Sequence, residues 1–364
     1  MIPIAKPIIS KEEKQAVMDV MDSGMLAQGK KVQELETEFA KFCGSKYAVA
    51  VNNGTAALHA SLYALGIKEG DEVITTPFTF IATANSIIMQ NAKPIFVDIE
   101  EDTFNIDPKK IVEKITSYTK AILFVDLFGH IANMDEIKKI AKEHNLLLIE
   151  DACQAHGAEY NGKKAGTFGD MSAFSFYATK NMMCGEGGII TTDNEKYLEL
   201  VKRFSHHGQS EQTRYQYYDL GYNYRMLDIT AAIAIEQLKK VEEFTKKRIH
   251  NAKLLSDGLS KLSWIQIPKV EDGFKHVYHQ YTIKVDAKIR DKLINHLKEN
   301  DVGCGVFYPK PLHLHPFFLK KGYKKGDFEI SELVAKQVIS LPVNPYVNDD
   351  DIKKIIDVIG DFND

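Results

Sequence analysis

Neither sign of charge dominates this chain: 46 Lys and Arg stand against 50 Asp and Glu in 364 residues, a formal net charge of −4. Gripping nucleic acid or an anionic membrane through a basic face needs a cationic surplus, so neither partner is expected. Cysteine is sparse. Cys43, Cys153, Cys184 and Cys304 are scattered without a CxxC pair or a Cys/His cluster, which speaks against a disulfide framework and a structural metal site and fits reduced thiols in the cytoplasm. Long apolar runs are missing as well: no window reaches bilayer-spanning length, and MIPIAKPIISKEEKQ passes from a short apolar stretch straight into charge, unlike a signal peptide. With 44% hydrophobic and 26% charged residues, the composition is that of a soluble globular protein rather than a disordered, collagenous or coiled-coil chain.

What is present is an alternation. Between Lys46 and Thr192, short apolar runs at Ala48–Val51, Glu72–Thr75, Pro94–Val97, Ala121–Val125, Leu146–Ile149, Ser172–Phe176 and Gly188–Thr191 are separated by helical stretches such as Thr55–Leu65, Thr83–Gln90 and Met134–Asn145. Such alternation predicts an α/β domain on a mostly parallel seven-stranded sheet. The pattern then changes: Tyr197–Phe204 reads as helix, Tyr215–Arg225 as a Tyr-rich loop, and Ile229–Glu242 as a strong helix running into KKVEEFTKKR, whose mixed charges predict a solvated face. Strands at Val277–Val285 and Gly305–Tyr308 and helices at Arg290–Asn300 and Asp349–Ile359 complete a smaller α/β domain. The expected division is a large domain over residues 1–250 and a small one over 251–364.

Ligands of such folds gather at the carboxyl ends of the strands, so the residues just after each run carry the chemistry. In SFYATKNMMCGEGG, Lys180 is an isolated cation in a nearly charge-free loop; desolvated there, its neutral amine could form a Schiff base. In LLLIEDACQAHGA, Asp151 opens the loop after an apolar strand. A carboxylate at that point suits a protonated ring nitrogen, as beneath a pyridoxal ring, and equally suits an N-cap of the next helix. AVAVNNGTAALHASL places Gly54 and Thr55 at a helix N-terminus, a natural phosphate site, or a plain strand–turn–helix connection. Neither a GxGxxG nor a GxxxxGK[ST] pattern accompanies it, which leaves dinucleotide and P-loop readings without support.

Taken in order, NGTAALH, TPFTFIATAN, EDACQAHGA, SFYATKN with GEGG, and GYNYRM resemble the sugar aminotransferases of the DegT/DnrJ/StrS family, within the fold-type I enzymes that use pyridoxal 5′-phosphate. The resemblance implies that Lys180 forms the Schiff base with the cofactor and shuttles a proton. It implies that Asp151 pairs with the pyridine nitrogen, that Gln154 lies near the phenolic oxygen, that Phe80 stacks on the ring, and that Gly54, Thr55 and Ser175 hold the phosphate. Asn223 would reach the phosphate of a partner subunit's cofactor, so a homodimer with shared sites is expected. A few family members carry His where Lys180 stands and resemble sugar dehydratases; the lysine here favours transamination, with L-glutamate as donor and a nucleotide-linked keto-sugar as acceptor. The 4-keto-6-deoxyhexoses are favoured, with 3-keto sugars possible. The alternatives are a dehydratase, or a non-catalytic regulatory protein on the same fold. Asp126, where the family often has His, and Cys153, where it often has a small residue, are departures that bear on substrate detail. Tyr308, His313 and His315 in YPKPLHLHP are candidate sugar contacts, with packing roles equally open.

Overall fold

The computed structural model describes residues 1–210, 213 and 215–363. Helices α1 (Lys11–Ser23) and α2 (Lys30–Cys43) precede β1 (Tyr47–Val51), and the chain then alternates through α3 (Gly54–Ala64), β2 (Glu72–Thr75), α4 (Ile81–Met89), β3 (Lys93–Phe96), β4 (Thr119–Val125), α5 (Met134–His144) and β5 (Leu147–Asp151). A two-residue hairpin, β6 (Glu159–Tyr160) and β7 (Lys163–Lys164), leads to β8 (Met171–Ser175), β9 (Gly188–Thr192) and α6 (Glu195–Ser205). The main sheet has seven strands in the order β1-β9-β8-β5-β4-β2-β3. All neighbours are parallel except β9, which runs antiparallel to both β1 and β8.

The seven apolar runs are these seven strands, because helices cover the sheet on both faces and each strand must be apolar on both. Successive residues alternate between two cores. Ala50, Ile122, Phe124, Leu148 and Phe174 enter one, and Val51, Leu123, Ile149 and Ala173 enter the other.

Beyond α6 the 32-residue helix α7 (Asp228–Leu259) is longer than the predicted one and runs through the expected boundary. Its first half packs Ala231, Ala234, Ile235 and Val241 into a core of the large sheet, and its second half packs Ala252, Leu255 and Leu259 into a separate core. That second core is built with β11 (Tyr281–Lys284), α8 (Arg290–Glu299), β12 (Val338–Leu341) and α11 (Asp349–Gly360), while β10 (Phe274–Lys275) pairs with β6 and α9 (Pro316–Leu319) and α10 (Glu329–Gln337) pack in separate clusters. Ile2 belongs to it as well, tied by Asn344 Nδ2 donating to the Pro3 carbonyl at 2.8 Å.

Two expected strands are shorter than predicted. Val277–Val285 is strand only from Tyr281, because Tyr278 takes a φ of 48° and the N–H groups of Val277 and Gln280 donate instead to Gly129 and Phe128. Gly305–Tyr308 is reduced to a single bridge between Gly305 and Ser340. Among the described residues no helix is long and apolar enough to cross a membrane.

Candidate active site

Strand β5 delivers Asp151 to the carboxyl edge of the sheet, where it is 5% exposed. Oδ2 accepts a hydrogen bond from Thr83 Oγ1 at 2.7 Å, and Oδ1 accepts one from the Cys153 N–H at 3.3 Å. Thr83 lies in α4 and is itself bonded to Thr79 at 3.0 Å. The sheet and α4 therefore fix the carboxylate from two sides. Thr83 was not singled out from sequence, although it sits inside TPFTFIATAN.

Three residues on, Gln154 has a determined amide orientation. Its Oε1 accepts from the Phe128 N–H at 2.8 Å, so Nε2 is the outward donor and reaches the Tyr308 hydroxyl at 3.2 Å. Phe128 adopts a φ of 58° to aim that N–H, a conformation uncommon for a large side chain and concentrated at functional sites. Tyr308 thus enters the site from the second half of the chain, and burial pushes its phenol above the ordinary range.

The phosphate candidates converge at the start of α3. Asn53 caps the helix: its side chain accepts from the Ala56 N–H at 2.8 Å and its carbonyl from that of Ala57. The first helical N–H groups, those of Gly54 and Thr55, are left for an outside acceptor. Gly54 faces Ser175 so closely that a Cβ there would stand 2.8 Å from Ser175 Cβ and 3.2 Å from Cys153 Sγ. The missing side chain is what opens this cradle.

Lys180 lies in the loop joining β8 to β9, its N–H bonded to the Tyr177 carbonyl at 2.8 Å. Although part of its surface reaches solvent, the surrounding protein desolvates the ammonium and pushes its pKa down, with Cys153 and Asp151 opposing that shift. Lys180, Asp151, Gln154, Ser175, Gly54 and Thr55 all belong to the strand ends and loops of one sheet edge. Phe80, the residue preceding α4, is 57% exposed at the rim. Asn223 is exposed too; its carbonyl accepts from Asn52 Nδ2 at 3.4 Å, which holds its loop against the turn before α3.

The two histidine candidates part company. His313 is fully enclosed, with Nε2 at 2.9 Å from Glu332 and its ring edge-on to Phe328 at 4.8 Å. Its enclosure makes it a packing residue rather than the sugar contact expected from sequence. His315 is exposed, 3.4 Å from the Lys310 carbonyl. Asp126, expected to bear on substrate detail, is completely buried: Oδ1 accepts from the Ala132 N–H at 3.0 Å, and burial with the nearby Glu150 pushes its pKa up. No cluster of potential metal ligands occurs among the described residues.

Sequence reasoning misread one buried charge. Arg248 closes the stretch read as a solvated face, yet it is only 6% exposed. Val241, Thr245, Arg248 and Ala252 form the inward stripe of α7; their spacing of four, three and four residues was the available signal.

A desolvated lysine, a buried carboxylate bonded from two sides, an amide with its donor outward and an open helix N-terminus fit pyridoxal phosphate group by group. They define the site of a pyridoxal-phosphate-dependent aminotransferase on the fold-type I architecture. The profile of the DegT/DnrJ/EryC1/StrS aminotransferase family matches residues 7–360, and the chain belongs to that family. It is 41% identical to the spore coat polysaccharide biosynthesis protein SpsC of Bacillus subtilis, covering 99% of this chain and 97% of that one. With GDP-perosamine synthase of Escherichia coli O157:H7 it shares 36% identity over 99% and 98% of the two chains. DesV of S. venezuelae, solved with a ketimine intermediate, superposes with a TM-score of 0.94 at 32% identity over 100% of both chains. The sugar aminotransferase Spr1654 of Streptococcus pneumoniae, described as putative and solved in its PLP form, gives a TM-score of 0.93 at 27% identity over 98% and 97%.

Proposed function

We propose that this aminotransferase moves the amino group of L-glutamate to a nucleotide-linked keto-sugar, with 4-keto-6-deoxyhexoses favoured over 3-keto sugars. The observation that carries the reading is Lys180, its pKa pushed down by burial, on the same sheet edge as a buried Asp151 in a chain akin to GDP-perosamine synthase. When bound, pyridoxal phosphate supplies a carbonyl that exchanges amines and a protonated ring that withdraws electrons. In this reading Asp151 holds the proton at the ring nitrogen, its position set by Thr83. Gln154 directs Nε2 to the phenolic oxygen, while Gly54, Thr55 and Ser175 receive the phosphate. Lys180 Nζ, whose ammonium burial disfavours, is placed to accept a proton from the reacting carbon and return it. Phe80 covers the ring face.

The same reading makes the working unit a homodimer in which Asn223 reaches the partner's cofactor. Its exposure supports this, as do the neighbouring exposed apolar side chains Tyr215, Tyr217 and Leu220 and, on α1, Met18 and Met21. Apolar surface of that kind marks an interface. Tyr308 and His315 remain the candidates for sugar contact.

The test is the absorbance spectrum of the protein with pyridoxal phosphate, before and after L-glutamate, beside Lys180→Ala. The expected result is a visible band in the wild type that glutamate bleaches and that the variant never develops. A wild-type band indifferent to glutamate overturns the donor, and the absence of any band overturns the whole reading.

A further inference from the structure

The Gln154 amide is only as well directed as the turn that fixes it. Its Oε1 accepts from the Phe128 N–H, and Phe128 stands at a φ of 58°, a backbone conformation that a large side chain keeps only where its surroundings over-determine it. The two ends of an amide are nearly equal in shape and opposite in hydrogen bonding. Were the Phe128 N–H to turn away, the group could rotate and present oxygen outward in place of Nε2. Whatever holds Phe128 therefore decides which end of Gln154 faces the site.

Asn105, in the loop between β3 and β4, does the holding. It is completely buried and both ends of its side chain are used: Oδ1 accepts from the Leu127 N–H at 2.9 Å, and Nδ2 donates to the His130 carbonyl at 2.9 Å. The two bonds bridge the backbone on either side of Phe128, one residue before it and two after. Asn105 is itself fixed, because its carbonyl accepts from the Glu100 N–H at 2.8 Å and its N–H donates to Thr103 Oγ1 at 3.3 Å. The ring of the preceding Phe104 meets that of Phe128 edge-on, with centroids 5.6 Å apart. From the other side, the N–H groups of Val277 and Gln280 reach the carbonyls of Gly129 and Phe128 at 3.0 and 3.3 Å. Those bonds take up the later peptides of the turn, whereas Asn105 spans the whole of it.

We infer that Asn105 is a positioning residue for the transaminase site: by bridging the backbone on both sides of Phe128, it keeps Gln154 Nε2 turned toward the phenolic oxygen of the cofactor. The inference rests on the reading that sets Gln154 at that oxygen. Asn105 acts through the turn and through Gln154, so its effect on the cofactor vanishes once Gln154 is gone.

The test is a double-mutant cycle on the cofactor-loaded protein, read as the pH midpoint at which its visible band titrates. A donor at the phenolic oxygen favours the deprotonated cofactor, so losing that donor raises the midpoint. Gln154→Leu should raise it by about one pH unit or more, as for loss of a hydrogen bond to a charged group. Asn105→Ala should move it in the same direction, and in the double variant the two shifts should not add. Asn105→Ser, whose hydroxyl serves only one of the two backbone groups, is the milder variant should alanine fail to fold, and its midpoint should lie between those of wild type and Gln154→Leu. The melting temperature of each apoprotein records the cost to the fold, which a merely structural residue would show with no change in midpoint. A wild-type midpoint in folded Asn105 variants, or shifts that add fully in the double variant, overturns the inference and leaves Asn105 a brace of the turn. An unchanged midpoint in Gln154→Leu overturns the reading of Gln154 and this inference with it, whereas a shift confined to Gln154→Leu overturns this inference alone.

Discussion

The sharpest consequence of the phosphate cradle concerns one methyl group. In Gly54→Ala the new Cβ would stand 2.8 Å from Ser175 Cβ and 3.2 Å from Cys153 Sγ, well inside ordinary carbon contact of about 3.5–4.0 Å. The backbone of α3 cannot easily yield, because Asn53 anchors its first turn through the N–H groups of Ala56 and Ala57. Relief must come from Ser175, whose Oγ already accepts from the Tyr177 N–H at 3.3 Å and would be carried away from the helix N-terminus. Overpacking of this kind costs about 1–3 kcal/mol. If that cost falls on the arrangement that holds phosphate, cofactor affinity drops by roughly five- to 150-fold. The assay is a fluorescence titration of apoprotein with pyridoxal phosphate. Gly360→Ala is the control: its Cβ would meet nothing within 4 Å, and it should leave affinity unchanged. Wild-type affinity in Gly54→Ala, with the protein folded, would refute the cradle.

Thr83→Val removes the hydroxyl that donates to Asp151 Oδ2; a charged hydrogen bond of about 1.5–3 kcal/mol predicts a fall in kcat of about tenfold or more, read by steady-state kinetics. Tyr308→Phe leaves Gln154 still held by the Phe128 N–H, so the cofactor's visible band should shift less than in Gln154→Leu; an equal shift would place the anchor on Tyr308. For Glu13, burial alone would raise the pKa, but hydrogen bonds from Ser10, Lys240 and Gln237 outweigh it and hold the carboxyl down from 4.5 to about 2. A depressed folded pKa gives stability that is present above the unfolded value and lost as pH falls through the folded one. The stability advantage of wild type over Glu13→Gln in urea should therefore be full above pH 5 and shrink between about pH 4.5 and 2; an advantage that does not change over that range would refute the pairing.

Legibility followed burial and sequence separation. All seven sheet strands could be read because each is apolar on both faces, and Asp151 and Gln154 could be placed because a strand end predicts a loop at the ligand edge. Helix α1 escaped notice: its buried residues are Glu13 and Val20, while Met18 and Met21 are exposed, so its apolar pattern points away from its own core. Arg248 was misread because charge type was weighed above helical phase. The fate of His313 depended on Glu332, 19 residues away in α10, and the Gln154–Tyr308 contact spans 154 residues. Pairings of that separation come from the tertiary fold, which no local pattern encodes.

The reversed strand β9 explains why the lysine can be where it is. A parallel connection after β8 would carry the chain to the opposite edge of the sheet through a crossover. Because β9 runs back antiparallel, residues 176–187 form a long hairpin loop that stays over the carboxyl edge, between Asp151 on β5 and the N-terminus of α3 beyond β1. The return path is narrow. At Gly188, the first residue of β9, a Cβ would meet the Asn53 carbonyl oxygen at 2.5 Å and the Gly54 nitrogen at 2.9 Å; at Gly187 it would meet Cys184 Sγ at 2.6 Å. The glycines that end GEGG, legible in sequence only as a turn, are therefore required for β9 to slide under the phosphate cradle. Any larger residue there would push apart the helix start and the lysine loop, the two parts that must face a single small cofactor at once.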